Sequence, residues 1–233
     1  MLGLIGAMAL ETDALFNAME DPQLFSVGWS RFAVGKLYGL DCVIAQCGIG
    51  KVHAAACAQV MLMKWLVDAV INFGVAGALD ETLHISDAVI ADFSAQHDID
   101  TSPIGDPVGL ISGPNIIRIP CDTALTDLLK RSADQCGIRR ISRSIVTGDQ
   151  FIDRFEDKKR IRDLFEAGAC DMEGGAIAQI CWESHVPYAA CRTISDTMTG
   201  SGREYAECAA EAGAECCRLL KTALINYREE KKQ

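Results

Sequence analysis

Ala69-Val70-Ile71-Asn72-Phe73-Gly74-Val75-Ala76-Gly77 is the stretch on which the fold class turns. Its first five residues form a short apolar run that stops at glycines, the pattern of a buried strand opening into a loop. The segment before it, Val52 to Leu66, carries alanines, Val60, Leu62 and Met63 without a breaker and predicts a buried helix. Asp87 to Ser94 then reads as a second strand. Such alternation of strand, loop and helix predicts an α/β protein with a mostly parallel central sheet and helices on its faces. In sheets of this kind ligands bind beyond the carboxyl ends of the strands.

The same reading extends to both ends of the chain. Leu2 to Ala7 is a first buried strand, followed by a helix over Glu11 to Met19, where Ala14, Leu15, Ala18 and Met19 recur at helical spacing. Arg31 to Leu37 and Leu40 to Gln46 flank Tyr38-Gly39 and predict a hairpin. Asp98 to Pro120 is rich in Pro, Gly and Ser and predicts a long loop, a length that in compact domains goes with function. Beyond it, helices are expected over Asp122 to Cys136, Lys158 to Phe165, Gly174 to His185 and Tyr205 to Tyr227, with strands over Ile141 to Thr147 and Tyr188 to Ser195. No repeat or linker interrupts the chain, so one domain over 1–233 is expected. Only the charged tail, Arg228 to Gln233, has the composition of a disordered segment.

Composition narrows the function classes. The formal charge is −10 with no basic stripe before the tail, which disfavours nucleic acid as a partner. Eleven cysteines are an odd number, form no C-x-x-C pair and do not cluster with histidine. Disulfides and zinc are therefore not expected; residues such as Cys42, Cys181, Cys191, Cys208 and Cys216 read as reduced thiols in apolar runs. The N-terminus lacks a basic region and no apolar run is long enough to cross a bilayer, so a cytoplasmic protein without membrane attachment is expected. P-loop, dinucleotide-binding and serine-hydrolase signatures are all missing. His97-Asp98 reads as a structural hydrogen-bonded pair before it reads as an acid-base pair.

Three acids stand where the sheet would offer a ligand site: Glu11, Glu173 and Asp196. Singly, Glu11 also reads as an electrostatic cap of its helix and Asp196 as an N-cap or turn residue. Together they suit the cleavage of a glycosidic bond, in which one carboxyl protonates the leaving group and another activates water or stabilises an oxocarbenium-like transition state. Spacing alone leaves their convergence open.

Several phrases carry a resemblance. Ile5-Gly6-Ala7-Met8 with Glu11, Gly48-Ile49-Gly50-Lys51-Val52, Gly74-Val75-Ala76-Gly77, Gln96-His97-Asp98-Ile99-Asp100, Thr147-Gly148-Asp149-Gln150-Phe151, Met172-Glu173-Gly174 and Arg192-Thr193-Ile194-Ser195-Asp196 occur in this order. Over Leu2 to about Leu224 the chain resembles the 5′-methylthioadenosine/S-adenosylhomocysteine nucleosidases of the purine nucleoside phosphorylase superfamily. The resemblance implies a three-layer phosphorylase/hydrolase-like fold, a mixed central sheet with helices on both faces, and hydrolysis of 5′-substituted adenosines to adenine and a free ribose. It implies no metal and no cofactor.

By the same resemblance Glu11 activates water, Asp196 protonates N7 of adenine with Ser195 supporting it, and Glu173 holds the ribose 2′- and 3′-hydroxyls. Arg192 and Met172 neighbour the ribose, Phe151 packs on adenine, the Ile152 backbone meets the base edge, and Ile49, Val75 and Tyr205 complete the substrate site. A homodimer is implied, with a partner's Asp98 to Ser112 loop closing the 5′ pocket through Ile104, Pro107 and Val108. Thr197 to Gly202 departs from the family's usual continuation after the acid. Three other readings remain: a phosphorylase of the same fold, separable by its need for phosphate; an aminofutalosine-type hydrolase, separable by competing substrates; and a silent nucleoside-binding protein, which would bind without turnover.

Overall fold

The computed structural model describes residues 1–232. Along the chain it contains β1 (Leu2–Gly6), α1 (Ala9–Ala18), β2 (Met19–Val27), β3 (Ser30–Leu37), β4 (Leu40–Gln46), α2 (Lys51–Lys64), β5 (Ala69–Ala78) and β6 (Ala88–Gln96). After the loop come β7 (Ile119–Pro120), α3 (Thr123–Cys136), β8 (Arg140–Thr147), α4 (Phe155–Phe165), β9 (Ala167–Asp171), α5 (Gly174–Glu183), β10 (Tyr188–Asp196) and α6 (Gly202–Glu230).

Strand β5 is the hub. It pairs in parallel with β1 and β10 and antiparallel with β9, while β10–β6, β6–β8 and β8–β9 close a ring back to it. From β1 the sheet continues through β4 and β3 to the edge strand β2. The sheet is therefore mixed, as the resemblance implies, and less parallel than the strand-helix alternation suggests. The hairpin β3–β4, the edge pair β2–β3 and the direct contact β10–β6 are antiparallel. One face of the sheet is covered by α2 and α5, through Ala54, Cys57, Met61, Ile177 and Cys181. The other is covered by α1, α3 and α6, through Leu15, Leu128, Leu129, Leu220 and Leu224. Ile161 and Phe165 of α4 pack on Leu79, Val146 and Cys170 in a smaller third cluster.

Several expectations need correction. The phrase Gly74 to Gly77 lies inside β5 rather than in a loop, because pairing with β10 runs on to Gly77. Helix α2 is only half buried: Ala54, Cys57, Ala58 and Met61 face the core, while Val52 and Met63 are exposed. β2 and β9 carry no helical or alternating signal, and Asp21-Pro22 sits in an irregularity of the β2–β3 register. An edge strand tolerates such a break because it needs only one set of ladder bonds. Arg228 to Glu230 complete α6, and Gln233 lies outside the described residues. Cys208 is half exposed rather than buried. Among the described residues no helix is long and apolar enough to cross a membrane.

Candidate active site

The carboxyl ends of β1, β5, β9 and β10 meet at a pocket of about 220 Å³. Glu11, Ile49, Val75, Phe151, Ile152, Met172, Glu173, Ser195, Asp196 and Tyr205 all line it. Arg192 does not. It is 2% exposed and lies behind the floor, where its Nη2 donates to Asn72 Oδ1 and Asp171 Oδ2, both at 2.5 Å. Burial alone would lower its pKa, but the charges of Asp171 and Glu11 outweigh that and raise it, so the guanidinium stays charged.

Glu11 is the third residue of α1, and its side chain turns back over the helix start. Oε2 accepts from the backbone N–H groups of Ala7 (2.7 Å) and Met8 (2.9 Å), and Oε1 accepts from Val75 N–H (2.9 Å). Glu11 therefore both caps its helix and lines the pocket. Burial pushes its pKa up, while Arg192 and the three amides oppose the rise. With both oxygens taken up as acceptors, the arrangement suits the ionised form. Room for the carboxylate comes from Gly74, whose φ of +151° is glycine territory and whose missing Cβ would collide with Glu11 Oε1.

Glu173 caps the start of α5. Its Oε1 accepts from Gly50 N–H at 2.8 Å, so the glycine turn before α2 holds it across a long sequence distance. Burial, reinforced by the charge of Asp171, pushes its pKa up to about 8. Asp171 is itself fixed by Thr147 Oγ1 (2.5 Å), Gly174 N–H (3.0 Å) and Arg192. Nothing in the sequence marked Asp171 as the countercharge of Arg192.

Asp196 ends β10 and is 2% exposed. It caps no helix, since α6 starts only at Gly202. Ser195 Oγ donates to its Oδ1 at 3.0 Å, and a Cβ on Gly77 would lie 2.9 Å from its Oδ2. The two glycines that make room for Glu11 and Asp196 are three residues apart on β5, which spaces them by roughly 10 Å. The second partner of Asp196 is Lys158, missed by sequence reasoning: Nζ donates to Oδ2 at 2.8 Å, and Lys158 is fully buried. A signal existed, because Lys158, Ile161 and Phe165 fall on one helical face and all three are buried.

The apolar part of the pocket is formed by Phe151, which meets Tyr205 edge-on at 5.5 Å, with Ile152, Met172, Val75 and Ile49 around it. This is an apolar pocket with acids at its walls, suited to a neutral base joined to a polyol. No Lys, Arg or His is among the residues lining it. The expected His97–Asp98 hydrogen bond does not form. Asp98 instead accepts from Lys51 Nζ (2.6 Å) and Asp149 N–H (2.9 Å), while His97 Nε2 is buried without a partner and burial lowers the ring's pKa.

A sequence profile described as the phosphorylase superfamily matches residues 1–225. The 5′-methylthioadenosine/S-adenosylhomocysteine nucleosidase of Shewanella sediminis is 36% identical over 197 residues, 84% of this chain and 85% of that one. The crystal structure of the nucleosidase of that name from Neisseria meningitidis, in complex with methylthio-immucillin-A, superposes with a TM-score of 0.92 at 32% identity, covering 97% of this chain and 98% of that one. The native structure of futalosine hydrolase of Helicobacter pylori superposes with a TM-score of 0.90 at 29% identity, covering 96% of each chain.

Proposed function

The chain belongs to the 5′-methylthioadenosine/S-adenosylhomocysteine nucleosidases of the phosphorylase superfamily, and on that premise we propose that it hydrolyses the N-glycosidic bond of 5′-substituted adenosines with acids of the pocket wall touching the reacting atoms. It is an N-glycosyl hydrolase of adenosine-type nucleosides. Asp196 protonates N7, so that adenine departs as a neutral molecule. Glu173 holds the ribose hydroxyls and turns its carboxyl oxygens toward C1′ as positive charge develops there. Glu11 takes a proton from the attacking water. Phe151, Ile152 and Tyr205 hold the base, with Met172, Val75 and Ile49 around the sugar and Arg192 fixing Asp171 from behind the floor. The chemistry needs no metal or cofactor, and its setting is the cytoplasm.

One observation carries the choice of water over phosphate: the pocket wall contains Glu11, Asp171, Glu173 and Asp196 and no cationic side chain. A like charge at about 4 Å costs an incoming anion roughly 4 kcal/mol at an effective dielectric near 20, whereas water is neutral. The test is adenine release with and without millimolar phosphate, with the sugar followed by phosphorus and proton NMR. Release independent of phosphate and a free 5-substituted ribose are expected; a stoichiometric sugar 1-phosphate would overturn the reading. A second reading, a futalosine-type substrate with the same leaving group, draws support from the likeness to futalosine hydrolase. Competition between the two nucleosides separates them.

We further propose a homodimer. Trp29 stacks on His53, and together with Met8 and Ile49 they line an open depression that shares Met8 and Ile49 with the pocket. Trp29, Val52 and Ile104 are 76%, 79% and 81% exposed, an apolar surface that a second subunit would cover. In the Asp98 to Ser112 loop Ile104 and Pro107 are exposed, whereas Val108 packs against the Phe165 cluster and belongs to its own chain's core. A fully active monomer at micromolar concentration in sedimentation would contradict the dimer.

A further inference from the structure

Lys158 is a cation in a place that a general acid does not need. Its Nζ has three partners: Asp196 Oδ2 at 2.8 Å, the Thr197 carbonyl at 2.8 Å and the Gly200 carbonyl at 3.4 Å. Three acceptors around one nitrogen match the three donors of an ammonium. The loop that departs from the family's usual sequence after Asp196 is the segment that supplies the two carbonyls. It is held in that shape by Glu204, whose Oε2 accepts from Thr197 N–H (2.5 Å) and Oγ1 (3.0 Å), and by the Gly200 N–H bond to Thr197 O at 2.9 Å. A Cβ on Gly200 would strike the Glu204 carboxylate, so the turn requires glycine.

Asp196 Oδ2 is the acceptor of the Lys158 N–H, so in this arrangement the hydrogen between them sits on the nitrogen and not on the aspartate that faces N7. We propose that the acid of this site is the buried pair rather than the aspartate alone: Lys158 stores the proton that Asp196 passes to the departing base. This rests on the assignment of Asp196 as the group that protonates adenine. In the step, a Lys158 Nζ–H bond breaks as Asp196 Oδ2–H forms, leaving a neutral amine and a neutral carboxyl. That O–H then breaks as N7–H forms, while the C1′–N9 electron pair passes to the purine ring. Once adenine has left, the amine recovers a proton through solvent while Glu11 releases to solvent the proton it took from the attacking water, so the count closes. Lys158 acts through Asp196 and is a positioning and proton-storing residue.

The other groups around the pair leave it in charge of its own proton. From β9, the Cys170 thiol is pushed up to about 12 by burial and stays neutral. From β5, Gly77 presents no side chain. From α6, Tyr205 is raised by burial and stays neutral, and Glu204 spends its oxygen on Thr197. On α4 itself Asp157 lies near Arg154, and Arg162 is engaged by Glu81 and Asp163.

The experiment compares wild type, Lys158→Met, Lys158→Arg and Asp196→Asn with two probes, 5′-methylthioadenosine and a 4-nitrophenyl 5-methylthioriboside, whose leaving group departs without a proton. Arginine keeps the charge and the donors but does not give up a proton. Both Lys158 variants are expected to lose about 30-fold or more in kcat on the nucleoside with KM within about threefold, a loss inside the range of general-acid contributions. Their high-pH limb should move down by about one unit or more, because a lone carboxyl loses its proton before a lysine-aspartate pair does. Both Lys158 variants should cleave the nitrophenyl riboside at near wild-type rates. If Lys158→Met does not fold, Lys158→Arg, which retains the buried cation, carries the test. Arginine restoring nucleoside cleavage, a high-pH limb that stays or rises, or equal losses on both probes would each overturn the proposal. An active Asp196→Asn would instead strike the assignment of Asp196, leaving the two failures distinguishable.

Discussion

Glu11 and Asp196 serve one pocket and back onto one strand, yet they are held by opposite means. Glu11 is surrounded by three backbone N–H donors and touches no cation, so its charge is met by dipoles that cannot move a proton. Asp196 bonds to an ammonium and a hydroxyl, both of which carry exchangeable protons. Fixed amides suit a group that must stay a carboxylate until water arrives. A mobile proton on the neighbour suits a group that must give one away. On the roles proposed for them, the difference in partners, rather than in residue type, separates the base from the acid in one pocket.

The sharpest way to break this comparison is to neutralise each carboxylate in turn. Glu11→Gln should lower kcat by about 10³-fold, since its amide must also turn an N–H donor toward backbone donors, and the loss should persist whatever leaving group is used. Asp196→Asn should lower adenine release by about 10² to 10³-fold, but only for leaving groups that need a proton. Steady-state kinetics on both probes reads this directly. Rescue of the Glu11 variant by a good leaving group would erase the division of labour.

The two glycines of β5 offer a finer cut. Gly74→Ala puts a methyl into Glu11 Oε1 at a positive φ, so it carries both collision and backbone strain of about 1–3 kcal/mol. For a chain of this size that corresponds to roughly 2–12 °C in Tm, together with a loss of about 10- to 100-fold in kcat. At Gly77 the methyl would stand 2.9 Å from Asp196 Oδ2 on ordinary extended backbone. Gly77→Ala should cost about tenfold or less in kcat, with Tm nearly unchanged. Equal thermal losses in the two variants would show that the strands, not the carboxylates, absorb the methyls.

What could be read before the structure follows from how local each signal is. β1, β4 and β10 were legible because apolar runs bounded by turns are local. β2 was not, since Asp21 and Pro22 break its alternation and its partner is a neighbouring strand rather than its own sequence. Glu11, Glu173 and Asp196 were visible as acids at strand ends, but that they share one pocket depends on the β5 crossings and was reached only through the family resemblance. Lys158 and Asp171 stayed hidden for the same reason: each is defined by a partner far along the chain, Asp196 for one and Arg192 for the other. His97 and Asp98 failed in the reverse sense, because neighbours in sequence turn their side chains apart: Asp98 accepts from Lys51 and Asp149, while His97 Nε2 is buried without a partner among the described residues.

Glu173 extends the comparison to a third kind of support, one amide and no cation. With only Gly50 N–H on Oε1 and the Asp171 charge nearby, burial raises it to about 8, from an ordinary value of 4.5. The sign follows from proton uptake. Below pH 4.5 the carboxyl is protonated in both the folded and unfolded chains, and its contribution is fully present. Between 4.5 and 8 the unfolded chain ionises while the folded one stays neutral, so stability is lost as pH rises. Gln has no such transition and keeps an oxygen for Gly50 N–H. Glu173→Gln should therefore match wild type near pH 5 and exceed it increasingly toward pH 8, by a few °C in Tm at about 2–4 °C per kcal/mol. Thermal melts of the two proteins at each pH isolate the effect, because the rest of the acidic chain is common to both. A gap that closes as pH rises would mean that Glu173 is ionised in the fold, and that one amide suffices to hold a buried carboxylate as three do at Glu11.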